Sequence, residues 1–261
     1  MIQITALTEN TSCRADVGCE HGLSLWVETP THTLLFDAGQ SDLFSRNAEA
    51  LGIDLTRADM AILSHGHYDH GGGMECFLAV NSHAPLYLNV HAFEAHGNAA
   101  GKNIGLAPSL RECDRLIFTG DHTVIDDTLT LVTGNAAIPP EAIESYGLTM
   151  AGGLPEDFRH EQVLLIQESG RRILLGGCAH KGILNLMDWL RPDVVVGGFH
   201  FKALDPQGEG RSALENAARR LMDYPAVYYT CHCTGEAQFA FLKACMGDRL
   251  HYLAGGQTIT I

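Results

Sequence analysis

The chain has 261 residues, 46% of them hydrophobic, enough for one large core or two closely fused half-domains. Its 31 acidic side chains outnumber 17 basic ones, and the formal charge of −14 excludes nonspecific binding to nucleic acid or an anionic membrane, which needs clustered Lys and Arg. Eight cysteines in this length do not suggest a disulfide scaffold, and no apolar run reaches the roughly 18 residues of a membrane span. The N-terminal MIQITALTEN reads as neither signal peptide nor lipid anchor, so a cytoplasmic protein is expected.

In chain order, 2–8 (IQITALT), 23–28 (LSLWVE) and 33–37 (TLLFD) read as strands, the last stopping at a turn. A short helix is predicted at 43–51, ended by Gly52, then a buried strand at 60–64 (MAILS) that delivers His65. A helix at 74–81 and a strand at 85–90 follow, and 91–115 is polar and glycine-dotted, a loop or lid. Strands are predicted at 116–118, 129–133, 162–168 and 172–176. Then come a helix at 182–190, a strand at 193–197, a helix at 211–222 and a strand at 226–230. A helix at 236–246 and a strand at 249–253 close the chain. Strands first, then strands alternating with helices, occur twice. This predicts an α/β sheet sandwich covered by helices, one domain over 1–261 made of two fused αβ halves.

Residues 62–73 read ILSHGHYDHGGG. A strand that ends in S-H-G-H-Y-D-H holds its side chains on a rigid base, and the small residues let the backbone turn tightly around an ion. Neutral imidazoles and carboxylates suit Zn²⁺ or Fe²⁺. His65 and His67 could reach one metal, and Asp69 and His70 a second about 3.5–4 Å away, with a hydroxide shared as nucleophile. The glycines at 71–73 are no phosphate loop, since no Lys or Ser/Thr follows at the required spacing.

SHGHYDHGGG at 64–73 resembles the HxHxDH signature of the metallo-β-lactamase-fold superfamily. Glu20-His21-Gly22-Leu23-Ser24, LLFDAGQSDLFSRNAEALGIDL at 34–55, GCAHKGILN at 177–185, GGFH at 197–200 and CHCTGE at 231–236 look like one branch of it. That branch holds the 7,8-dihydropterin-6-methyl-4-(β-D-ribofuranosyl)aminobenzene 5'-phosphate synthase-like proteins. The resemblance implies a four-layer αβ/βα sandwich with two divalent metal ions at the sheet edges, zinc first and iron or manganese as alternatives. It matches His65, His67, Asp69 and His70 to the first metal motif and His232 to a late histidine. Cys178 stands where many members have a bridging aspartate, and His180 beside it is a second candidate ligand. The usual middle histidine is absent from LVTGNAAIPPE at 131–141, so either His180 replaces it or one metal is short of a ligand.

Of lower rank, Glu20 and His21 are expected to orient a ligand or touch substrate, and His200 to do either. Asp37, in the family's LFDAG pattern, is expected to fix the ring of a ligand histidine. Cys231 and Cys233 read as structural or as supports of a neighbouring ligand, Lys181 and Lys202 as charges near the mouth that could meet a phosphate, and His83, His91, His96, His122, His160 and His251 stay unassigned. The leading expectation is a hydrolase in which His65, His67 and Asp69 serve a metal-activated water. The alternatives are the branch's synthase-like activity, an iron-dependent oxidoreductase and a non-catalytic metal-binding protein. The expected partner is a small-molecule substrate, phosphorylated as one option, with a homo-oligomer allowed.

Overall fold

The computed structural model describes residues 1–261. Its first elements are β1 (Gln3–Thr8), β2 (Ser24–Glu28), β3 (Thr33–Phe36), α1 (Leu43–Ala50), β4 (Met60–Ile62), α2 (Tyr68–Gly71) and α3 (Met74–Val80). β5 (Leu86–Asn89), β6 (Leu116–Thr119), β7 (His122–Val124), β8 (Leu129–Val132), β9 (Val163–Glu168) and β10 (Arg171–Leu175) follow. The chain ends with α4 (Ile183–Leu190), β11 (Val194–Gly197), α5 (Arg211–Met222), β12 (Val227–Thr230), α6 (Glu236–Met246), β13 (Leu250–Tyr252) and β14 (Thr258–Thr260). It divides into two compact units, one of Met1–Gly120, Gly147–Gln162 and Ala254–Ile261, the other of Asp121–Tyr146 and Val163–Leu253. No helix is long and apolar enough to cross a membrane.

The first unit holds a seven-stranded sheet in the order β14-β1-β2-β3-β4-β5-β6. β14, β1, β2 and β3 pair antiparallel, and β3 through β6 run parallel. β4 is apolar and buried at every position (MAI), as a central parallel strand must be when both its faces are covered. α1 buries Phe44, Asn47 and Ala48, and α3 buries Met74, Phe77 and Leu78, the three-and-four spacing of an amphipathic helix. Together with Trp26, Leu35 and Leu86 the apolar ones form one core. Asn47 ties the long β1–β2 loop to α1. Its amide donates to the carbonyls of Leu7 and Gly18, both at 2.8 Å, and its oxygen accepts the Gly18 N–H at 2.9 Å.

The second unit repeats the pattern in the order β13-β12-β11-β10-β9-β8-β7. β7 to β10 are antiparallel and β10 to β13 parallel. Its core gathers Leu174, Ile183, Met187, Val195, Leu214, Leu221, Tyr228 and Leu242 from strands and helices. The Tyr228 hydroxyl donates to the Leu221 carbonyl at 2.7 Å, and burial pushes its ionisation up, so it stays a neutral core donor.

The expected α/β class is the one found: two seven-stranded sheets, each flanked by helices. Sequence reasoning misses β7, β14 and α2. β7 and β14 are short edge strands that bury one position or none, and α2 is one turn ended by glycine. The 91–115 segment is mostly loop, as expected, but it carries a 3₁₀ helix at Pro108–Glu112 and is tethered. Ile104, Leu106 and Leu110 are buried, Tyr68 N–H donates to the Ile104 carbonyl at 2.8 Å, and Gly97 exchanges backbone bonds with Thr149 at 2.7 and 2.9 Å.

Candidate metal centre

In the first unit the HxHxDH segment leaves the carboxyl end of β4, beside the carboxyl end of β3, where open parallel sheets place their ligands. Asp37 lies at the end of β3. It takes the left-handed conformation (φ +58°), unusual for a residue with a side chain, and is completely buried. Its carboxylate accepts three hydrogen bonds, each 2.7 Å: from the Ser64 N–H, the Ser64 hydroxyl and His70 Nδ1. Ser64 Oγ in turn lies 2.8 Å from His65 Nδ1.

This network fixes two tautomers. Because the Ser64 hydroxyl proton points to Asp37, its oxygen is left to accept the Nδ1–H of His65, and Asp37 takes the Nδ1–H of His70 directly. Both rings then carry a lone pair on Nε2, the form a metal requires. The rings of His65 and His70 stand 4.2 Å apart, and those of His65 and His67 4.6 Å. Asp69 adds a carboxylate oxygen 3.8 Å from His70 Nε2 and 3.2 Å from His21 Nε2. Buried neutral imidazoles with one carboxylate are a donor set that fits Zn²⁺ or Fe²⁺.

The glycines have a different task from the tight turn expected of them. None of Gly66, Gly71, Gly72 and Gly73 has a positive φ; each is instead a point of close approach. A Cβ on Gly66 would sit 2.1 Å from the Ala92 carbonyl oxygen, and one on Gly73 2.2 Å from that of Ala38. Gly66→Ala is therefore expected to destabilise the fold by about 1–3 kcal/mol, the usual cost of overpacking, because rigid backbone has to move. Denaturant unfolding checks this, and an unchanged midpoint would show that the Ala92 turn yields freely.

Glu20 is spent on the backbone: its carboxylate accepts from the Gln40 N–H (3.1 Å), the Ser41 N–H (3.2 Å) and the Ser41 hydroxyl (2.6 Å), clamping the turn after β3. His21 faces Asp69 and lies 3.4 Å from the Asn10 amide through Nδ1.

Three residues absent from the sequence-based site stand beside it. His160 Nδ1 accepts the Gly66 N–H at 2.8 Å, and its ring lies 5.1 Å from that of His67 and 5.8 Å from that of His65. Behind it, Glu156 accepts from His96 Nδ1 at 2.9 Å and reaches within 3.7 Å of His160 Nε2. One ligand atom each from His67, His96, Glu156 and His160 fall within 4.8 Å of one another, and the buried His96 Nε2 makes no hydrogen bond. Gln162 delivers this group: its N–H and side-chain amide donate to the Ser64 and Leu63 carbonyls, both at 2.8 Å, and its oxygen accepts from Thr119 at 2.6 Å. The available signal was HEQ at 160–162, a polar run immediately before an apolar strand.

In the second unit three adjacent parallel strands, β10, β11 and β12, end in glycine- and cysteine-rich turns. Each turn holds one left-handed non-glycine residue: Ala179 (φ +52°), His200 (φ +55°) and His232 (φ +51°). Thr234 stitches two of them, accepting the Phe199 N–H at 2.8 Å and lying 2.5 Å from the Thr230 hydroxyl. Cys178, His180 and His232 are all buried here, and the His180 and His200 rings stand 4.3 Å apart. Cys233, read from sequence as structural, accepts the His200 N–H at 3.3 Å, and its thiol faces the Cys178 carbonyl at 3.5 Å. Burial alone would push its thiol up, but the hydrogen bonds with Cys178 and His200 and the neighbouring imidazoles hold it well below the usual range. Lys181 is buried and not at an open mouth, whereas Lys202 is exposed.

Residues 17–139 match the Metallo-beta-lactamase superfamily. The chain is 26% identical over 253 residues to Uncharacterized protein MJ0448 of Methanocaldococcus jannaschii, covering 89% of this chain and 90% of that one. It is also 26% identical over 265 residues to the 7,8-dihydropterin-6-methyl-4-(beta-D-ribofuranosyl)-aminobenzene-5'-phosphate synthase of the same organism, covering 89% and 88%. Among solved structures it resembles Tm1679, described as a metal-dependent hydrolase of the beta-lactamase superfamily, with a TM-score of 0.84, 24% identity and coverage of 100% and 99%. That likeness shows the fold, the α/β sandwich of the metallo-β-lactamase type.

Proposed function

We propose that this chain, a member of the metallo-β-lactamase-fold superfamily, is a metal-dependent hydrolase acting on a small molecule. The observation that carries the reading is the Asp37 carboxylate, which through His70 and Ser64 turns two buried imidazoles into lone-pair donors on one side of a strand end. A structural histidine cluster has no need of that arrangement. His65, His67, Asp69 and His70 are the proposed ligands of the first unit, with His160 beside them, and Cys178, His180 and His232 those of the second. Two divalent ions are proposed, zinc before iron or manganese. When bound, such ions lower the pKa of a water and hold developing negative charge on an acyl or phosphoryl oxygen.

The chain's own groups then have separable tasks. Asp69 orients the attacking water and receives its proton, with His21 Nε2 at 3.2 Å to steady the carboxylate. Asp37 keeps the His70 proton on Nδ1, and His160 holds the backbone between His65 and His67 through the Gly66 N–H. The hydrolase description of Tm1679 supports this reading. The similarity to the Methanocaldococcus jannaschii synthase supports a phosphorylated ribose compound as the substrate class to try alongside the others.

The test is a screen of esters, lactones, phosphodiesters and phosphorylated ribosides with protein purified without added metal, before and after chelation. Turnover that chelation abolishes and zinc, iron or manganese restores is expected. Chelation should also lower the melting temperature by about 5–10 °C, because a site held at a hundred times its dissociation constant is worth about 2.7 kcal/mol. Turnover indifferent to chelation would overturn the reading.

A further inference from the structure

We infer that Cys178, Cys233 and His200 form a soft-metal site of the second unit, a zinc site with two thiolates and one imidazole. It rests on the hydrolase reading for Cys178 and revises the ligands of that reading's second ion, with Cys233 and His200 in place of His180 and His232.

Geometry supports the assignment first. The two sulfurs and a ring nitrogen of His200 all lie within 4.8 Å of one another. A tetrahedral zinc with sulfur at about 2.3 Å and nitrogen at about 2.1 Å separates its ligand atoms by about 3.5–4 Å, so a small contraction closes the site. The three residues come from the carboxyl ends of three neighbouring parallel strands, β10, β11 and β12, the sheet edge at which ligands bind in open α/β folds.

The backbone supports it a second time. His200 holds a left-handed conformation, strained for a residue with a side chain, and its N–H lies on Cys233 Sγ at 3.3 Å. That N–H on one side and the Cys178 carbonyl at 3.5 Å on the other fix the position of the sulfur. Gly198 completes the cradle: a Cβ there would lie 2.2 Å from Cys233 Sγ, so only glycine leaves the sulfur its place. Strain and a glycine spent on one sulfur are features that a merely packed cysteine does not require. Two thiolates select zinc or another soft ion over magnesium or calcium, and three protein ligands leave a fourth position for water or substrate.

The test is cobalt substitution of the full chain, read by the sulfur-to-cobalt charge-transfer absorption in the near ultraviolet. Wild type is expected to show the band. Cys178→Ser and Cys233→Ser should each remove about half of it, His200→Ala should shift it, and His67→Ala should leave it unchanged. If Cys233→Ser does not fold, zinc-edge X-ray absorption of wild type decides, with two sulfur neighbours per chain at about 2.3 Å expected. A cobalt-loaded wild type without the band, a folded Cys233→Ser with the full band, one sulfur or none at the zinc edge, or a Cys178–Cys233 disulfide that takes up no cobalt would each overturn the assignment. Loss of metal in His67→Ala with the band intact supports the assignment; metal that depends on His67 without any band overturns it and removes Cys178 from the ligands of the hydrolase reading as well.

Discussion

Asp37→Ala is expected to cost the protein about 3–5 kcal/mol and to weaken metal binding by at least 10–100-fold. The carboxylate is wholly buried and accepts three 2.7 Å hydrogen bonds, so its removal strands the Ser64 N–H, the Ser64 hydroxyl and His70 Nδ1 together. Each stranded donor carries its own desolvation penalty. Freed of Asp37, His70 can move its proton to Nε2 and cease to be a ligand, and Ser64 no longer has to accept from His65. Asp37→Asn separates the two losses. It keeps the volume and one accepting oxygen, so stability should fall less than metal affinity does. Urea unfolding beside a zinc titration measures both, and an Asp37→Asn that binds zinc like wild type would show that the network is structural only.

His67→Ala should reduce turnover by about a thousandfold on whichever substrate the screen identifies. A metal supplies several kcal/mol of charge stabilisation, and about 4 kcal/mol is three powers of ten in rate. Folding should suffer less than in Asp37→Ala, because His67 sits at the start of α2 and Tyr68 N–H and Gly71 N–H bond through backbone atoms that alanine retains. A stable variant with wild-type turnover would place the chemistry elsewhere.

The two halves of this site differ in how far the sequence reveals them. His65, His67, Asp69 and His70 are legible because they fall within six positions after an apolar strand, and Asp37 because LFDAG resembles the family's pattern. His96, Glu156 and His160 are not. They lie far along the chain from His67 and come to it through the Gly97–Thr149 backbone pair and the Gln162 amide, contacts that leave no periodic trace. Cys233 is hard to place from the sequence for a related reason. A cysteine flanking a histidine looks the same whether it packs or ligates, and the difference lies in the His200 N–H and the space at Gly198. Glu20 shows the converse, a charged residue in a promising motif whose oxygens are spent on the Gln40–Ser41 turn. The sheets were readable where strands run apolar, even at three residues as in β4, and unreadable at the edge strands β7 and β14, which bury one position or none.

Metal analysis by plasma mass spectrometry tests the central claim most directly, on wild type and His67→Ala purified without added metal or a metal-binding tag. About two zinc, iron or manganese ions per wild-type chain are expected, falling by about one in the variant. A folded wild-type chain that takes up no metal even when offered it, or a variant that keeps its full complement, would contradict the claim.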